Sequence, residues 1–199
     1  MMKRLTVCCL LLLPLHMQAQ QPGYIDSLTA YRQKYIQEHE AVAPADRHLL
    51  DFYAADSTWR VRARFELVNG MGWFDMETSG TRKKAHRVYG LLHFQVKDSN
   101  FVLRVYQSKE LLATKQYKDW LFVPFTDKTS GITTYANGRY IDLLITELEN
   151  GKDYLLDFNK AYNPYCAYIS GMYNCPIPPA ENDLPVAITA GEKIFRKSH

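Results

Sequence analysis

Cysteine is scarce: four residues in 199, with Cys8 and Cys9 inside an apolar stretch at the amino terminus. The other two, Cys166 and Cys175, cannot supply the four ligands of a structural zinc site, and no His lies in that part of the chain. His93, between Leu92 and Phe94, has no second ligand at metal spacing and reads as structural. No metal site and no cofactor is expected. No catalytic signature occurs either, since Ser130-Gly131 lacks the flanking pattern of a nucleophile elbow. Repeats and low-complexity tracts are absent, and the one long apolar run, Leu5 to Leu15, is too short to span a bilayer.

That run follows Lys3 and Arg4 and precedes Met17-Gln18-Ala19, the layout of a signal peptide over residues 1–19. Neither Cys8 nor Cys9 follows a small residue, which argues against lipidation. Cleavage removes two of the 24 basic and none of the 21 acidic residues, so the formal charge falls from +3 to +1. A near-neutral exported chain lacks the basic excess of a nucleic-acid binder. No stable membrane span remains after cleavage. Residues 20–199 fit one globular domain with a sizeable core.

Between Ile25 and His39, Ile25, Leu28, Tyr31, Tyr35 and Ile36 recur at helical spacing, with Asp26 or Ser27 available as a cap. Such an amphipathic helix covers a face or edge of a sheet. Trp59 to Glu66 alternates strictly, the mark of a half-buried strand. Asn69-Gly70 predicts a two-residue hairpin in which Phe65 faces Phe74, Arg64 faces Asp75 and Arg62 faces Glu77. Arg82, Lys83, Lys84, His86 and Arg87 read as a solvated turn or strand face. Two strands are expected around the turn Lys97 to Asn100, and Trp120 to Phe125 lacks alternation, as a strand buried on both faces or lying against the helix would. Asp127 begins a turn in which its carboxylate accepts from nearby backbone N–H groups.

Strands at Tyr140–Thr146 and Tyr154–Phe158 flank Asn150-Gly151. If these two strands form a hairpin, Ile141, Leu143 and Ile145 face a core while Tyr140, Asp142, Asp157 and Asn159 gather on the other surface with Arg139 close by. This is the candidate site, extended by Asn163 and Tyr168 in the Tyr-rich stretch that follows. Three uses are open: a hydrogen-bond network holding the Asn163-Pro164 loop, a pocket for a small polar ligand such as a sugar, or general acid and base work by Asp157 or Asp142.

VPFTDKTSGITTYANGRYIDL (123–143), LLDFNKAYNPYCAY (155–168), CPIPPAENDLPV (175–186) and the closing AGE (190–192) resemble the bacterial domain of unknown function 1684 family. Weaker likeness reaches back to Trp59-Arg60-Val61, so roughly the last two thirds of the chain is covered. Asn137 stands where the family usually has glycine. The resemblance implies no activity. In an exported chain Cys166 and Cys175 read as a disulfide; related sequences without export signals imply a second reading, as thiols. The expected fold is mostly β, a single antiparallel barrel or sandwich of about eight to ten strands with one amino-terminal helix, and α+β is the alternative. For function, a non-catalytic binding module comes first, then a hydrolase using Asp157 or Asp142, then a structural or protein-interaction domain.

Overall fold

The computed structural model describes residues 22–197, so the expected signal peptide lies outside the described residues. Helix α1 spans Pro22–Glu38, longer at its start than the spacing predicts, so Asp26 and Ser27 lie inside the helix and cap nothing. Leu28 is fully buried and Tyr24 nearly so, whereas Tyr31 remains partly exposed. Strands follow at β1 (Arg60–Leu67), β2 (Phe74–Met76), β3 (Lys84–Val96) and β4 (Ser99–Ser108). After a single turn of helix, α2 (Lys109–Leu112), come β5 (Trp120–Asp127), β6 (Arg139–Leu144), β7 (Asp153–Asp157) and the two-residue β8 (Asp183–Leu184).

The sheet order is β6-β5-β4-β3-β1-β7, with β2 added to β3 and β8 parallel to β5. Every other ladder is antiparallel. The sheet curls into a half-barrel. Inside it lie Val61, Ala63 and Phe65 of β1, Leu92 and Phe94 of β3, Leu103 and Val105 of β4, Leu121, Val123 and Phe125 of β5, and Ile141 and Leu143 of β6. The alternation in β1 holds as expected, with Arg62, Arg64 and Glu66 outward.

The Asn69-Gly70 hairpin does not form. β1 is an interior strand whose two edges are taken by β3 and β7, so Phe65 pairs with Leu92 and Arg64 lies between His93 and Asp153. Gly70 has φ of 79°, but Asn69 is not left-handed, so the type I′ turn that needs both is absent. Arg62 meets Asp153 at 3.3 Å, Glu77 pairs with Lys83, and His93 contacts Glu66 at 2.8 Å. The anticipated hairpin between β6 and β7 is also absent: β6 pairs with β5 and β7 with β1, placing the two at opposite ends of the sheet. Asn150 serves that second pairing, since its Oδ1 accepts from Leu67 N while Gly151 N donates to Phe65 O. In the carboxyl-terminal segment Asp183–Leu184 is a strand, and Glu192 makes an isolated bridge to Phe52.

One fault in the β3–β4 ladder matters for everything that follows. The register shifts between Val88 and Gly90, leaving Tyr89 as the extra residue of a bulge. On one side of it Gly90 pairs with core-facing Val105; on the other Val88 pairs with Tyr106, which faces outward. A bulge re-aims side chains in this way. His86 and Val88 therefore lie on the outer face although they keep step with Leu92 and Phe94 in sequence. Gly90 is required here: a Cβ on it would lie 2.3 Å from the Phe65 ring and 2.7 Å from Glu66 O.

Candidate functional site

On that outer face the register assembles a floor. Asp142 pairs with Phe122, Trp120 with Leu144, Phe122 with Tyr106, and His86 with Ser108. Aromatic rings run across it edge to face or tilted: His86 to Phe122 at 5.2 Å between centroids, Phe122 to Tyr140 at 5.5 Å, Tyr140 to Tyr162 at 5.9 Å and Tyr162 to Tyr35 of α1 at 6.2 Å. Above this floor opens a cleft of about 670 Å³, walled by α2, the end of α1 and the 162–176 segment. It is continuous with a second hollow of about 440 Å³, because Lys84, Trp120, Tyr140, Asp142, Tyr162 and Tyr165 line both.

Asp142 is at the centre. Its carboxylate accepts a 2.9 Å hydrogen bond from the Tyr162 hydroxyl and is open to solvent through the cleft. The enclosing walls disfavour its charged form and push the carboxyl up, to about 6, against the stabilising bond from Tyr162. Water reaches this group despite its depth, so the elevation is that of a concave, accessible site and not of a sealed one. The chain comes within reach because, just past β7, Tyr162 N donates to Tyr140 O and Tyr140 N to Tyr162 O in a two-way bridge. The hydroxyls are committed: Tyr140 donates to Pro176 O, and Tyr165 to Glu40 at 3.5 Å. Burial pushes the Tyr140 and Tyr162 phenols well above their ordinary value, so both remain protonated donors. Lys84 Nζ lies 3.9 Å from Glu110. Burial lowers the pKa of His86, favouring the neutral ring, whose Nδ1 lies 2.8 Å from Lys84 O.

Of the residues expected to form the site, only Tyr140 and Asp142 reach this cleft. Arg139 points into the core, where it has no exposure: Nη2 meets Asp127 at 2.8 Å and Ile188 O at 3.0 Å, and Nη1 donates to Ala190 O. Asp127 also accepts from Thr129 N at 2.7 Å, as its turn predicts. Asp157 and Asn159 lie at the far end of the sheet. Asp157 accepts from Asn159 N, Asn159 Nδ2 and the Tyr24 hydroxyl, with Arg60 at 3.7 Å; Asn159 spans to the backbone of Asp56. Asn163 Nδ2 donates to Lys193 O, and the Tyr168 hydroxyl to Glu192 at 2.6 Å. These four serve a hydrogen-bond network that ties α1 and the carboxyl-terminal segment to the sheet. The basic-cluster reading fails for His86, which is buried; the isolated Gly90 within the strand pattern is the sequence signal of the bulge that turns it towards Phe122. Trp120 and Glu110 also escaped notice as cleft residues, and Glu192 was visible only as the end of AGE.

Cys166 and Cys175 are joined by a disulfide, and Cys175 lines the smaller hollow. Among the described residues no group of His, Cys, Asp or Glu is placed to hold a metal ion, and no helix is long and apolar enough to cross a membrane.

The fold and cleft together define a small half-barrel protein with a tyrosine-lined hollow on the outer face of its sheet. The chain belongs to the protein family of unknown function DUF1684, which matches residues 46–193. The solution NMR structure of an uncharacterised protein from Haloarcula marismortui is 31% identical, covers 86% of this chain and 94% of its own, and superposes with a TM-score of 0.65. No curated protein matches.

Proposed function

We propose that this is an exported binding module that holds a small polar ligand in the Asp142 cleft without transforming it. The observation that carries the reading is the cleft itself: about 670 Å³, within the size range of small-molecule sites, with aromatic faces around a solvent-open carboxylate. Ring faces offer broad contact area, and Asp142 offers direction. A ligand-screening thermal shift tests it. At least one polar compound should raise the melting temperature by a few degrees, and Trp120→Ala, at an exposed ring on the cleft wall, should abolish the shift while melting normally. Recovery of the compound unchanged after long incubation supports a binder. Turnover would instead favour the second reading, a hydrolase, for which the raised pKa of Asp142 is the specific support. If no compound from a broad panel binds, the module reading fails.

Export rests on Lys3, Arg4, the apolar run to Leu15 and Ala19. The mass of protein recovered outside the cytoplasm should correspond to a chain starting at Gln20. A species that keeps Lys3 and Arg4 overturns this half of the proposal.

A further inference from the structure

We infer that the ligand is a small organic cation carrying an alkylammonium group, with Asp142 as its counter-ion; this rests on the reading of the cleft as a ligand site and narrows it to one chemical class. Charge points first in this direction. The larger hollow is lined by four carboxylates, Glu38, Glu40, Glu110 and Asp142, against one amine, Lys84; Glu110 faces both Lys84 and Arg82 and Glu38 has Lys34 at 4.0 Å, which leaves Glu40 and Asp142 without a cationic partner among the described residues. Burial favours neutral His86, so it adds little positive charge. A concave wall of one sign focuses its field on the space in front of it. An anion would meet that field with the wrong sign.

Hydrogen-bonding capacity around Asp142 then favours a cation over a sugar. A sugar hydroxyl both donates and accepts, so its site needs donors as well as acceptors. Here the phenolic protons nearest Asp142 are spent inside the protein, Tyr140 on Pro176 O, Tyr162 on Asp142 and Tyr165 on Glu40, while the Tyr117 and Ser108 hydroxyls and the Trp120 indole N–H remain as donors on the lining. What the cleft presents beside Asp142 is ring faces and carboxylate lone pairs. Asp142 has no cationic partner among the described residues. An ammonium group answers both features, because it is attracted to the face of Trp or Tyr within about 6 Å of the ring centroid and pairs with a carboxylate.

The test is an NMR titration of the full chain at matched ionic strength with choline, butylammonium, glucose and inorganic phosphate, following the Trp120 indole and Asp142 amide resonances. Choline or butylammonium should shift both and saturate, and Asp142→Asn should weaken that binding at least tenfold. Asn keeps an acceptor for the Tyr162 hydroxyl and removes a charge that the walls disfavour, so melting no lower than wild type confirms that the fold is intact. Equal binding to wild type and Asp142→Asn overturns the counter-ion role. Shifts with glucose or phosphate but not with the cations overturn the class and leave the cleft a ligand site. If none of the four probes moves these resonances, the cation inference falls, and the binding reading falls with it only if the broad thermal-shift panel is also blank.

Discussion

Glu192 has no exposed surface, and no Lys or Arg forms an ion pair with it among the described residues. Three donors surround its carboxylate: the Tyr35 hydroxyl at 3.1 Å and Asn163 N at 2.9 Å on Oε2, and the Tyr168 hydroxyl at 2.6 Å on Oε1. They favour the charged form, yet burial outweighs them and pushes the carboxyl up, to about 7. Because the folded value lies above the ordinary 4.5, the folded state binds more protons than the unfolded one between these limits. The Glu192 contribution is therefore fully present below about pH 4.5 and lost as pH rises towards 7. Glu192→Gln should abolish this loss, since Gln does not titrate and Tyr168 can turn its hydroxyl to accept from the amide. The stability of wild type relative to the variant, from urea melts, should fall across that window, as pH rises, by on the order of 3 kcal/mol. Neighbouring His39, buried with Nε2 unpartnered, is pushed the opposite way and destabilises the fold on acidification, but it does so in both proteins and cancels. A pH-independent difference would show that Glu192 is not held neutral.

The elements themselves were legible where one face is buried and the other wet. The alternation of β1 and the β3–β4 hairpin around Lys97-Asp98 follow from side-chain patterning, whereas the outer face of β5 keeps Trp120 exposed and Phe122 on the open cleft. Partner choice was not legible. Asn69-Gly70 and Asn150-Gly151 mark where the chain reverses, but a turn dipeptide does not say which strand edge receives the chain when several are open. β1 takes β7 on one side and β3 on the other, and the opposite-charge pairs assigned to Arg62 and Arg64 gave way to Asp153 and its surroundings. The candidate site was misjudged for the same reason: alternation placed Tyr140 and Asp142 correctly on one face of β6, while the wrong partner brought Asp157 and Asn159 beside them. What meets Asp142 instead is Tyr162, delivered by the return of the chain after β7. The disulfide shapes the wall above it. Closing the Cys166–Cys175 loop stabilises by roughly 2.5 to 3 kcal/mol in the chain-entropy model, and Cys175 O accepts from Ser79 N, which fastens the loop to the segment after β2.

Across the whole molecule, β6 divides two tasks by the parity of its residues. Tyr140 and Asp142 line the cleft, whereas Arg139, Ile141 and Leu143 hold the core. Arg139 is the pivot: with Asp127 it forms an ion pair in which neither side chain has any exposure, and its Nη1 and Nη2 also donate to the carbonyls of Ile188, Ala190 and Glu192. The carboxyl-terminal segment, which also supplies the buried Glu192, is thereby fastened to the sheet. Removing one member of such a pair leaves the other charge buried without its partner, a loss of about 3 to 5 kcal/mol, whereas replacing both by apolar groups is often close to neutral. Arg139→Met should therefore lower stability by about that amount in denaturant melts, and Arg139→Met with Asp127→Leu should recover most of the loss coming from the stranded charge. The carbonyls of residues 188–192 lose their donor in both proteins, so recovery should be incomplete. If the single variant melts within about 1 kcal/mol of wild type, the pair does not hold the segment. Asp142→Asn, on the other face of the same strand, provides the contrast: it should not lower melting, and its loss should be felt in the cleft.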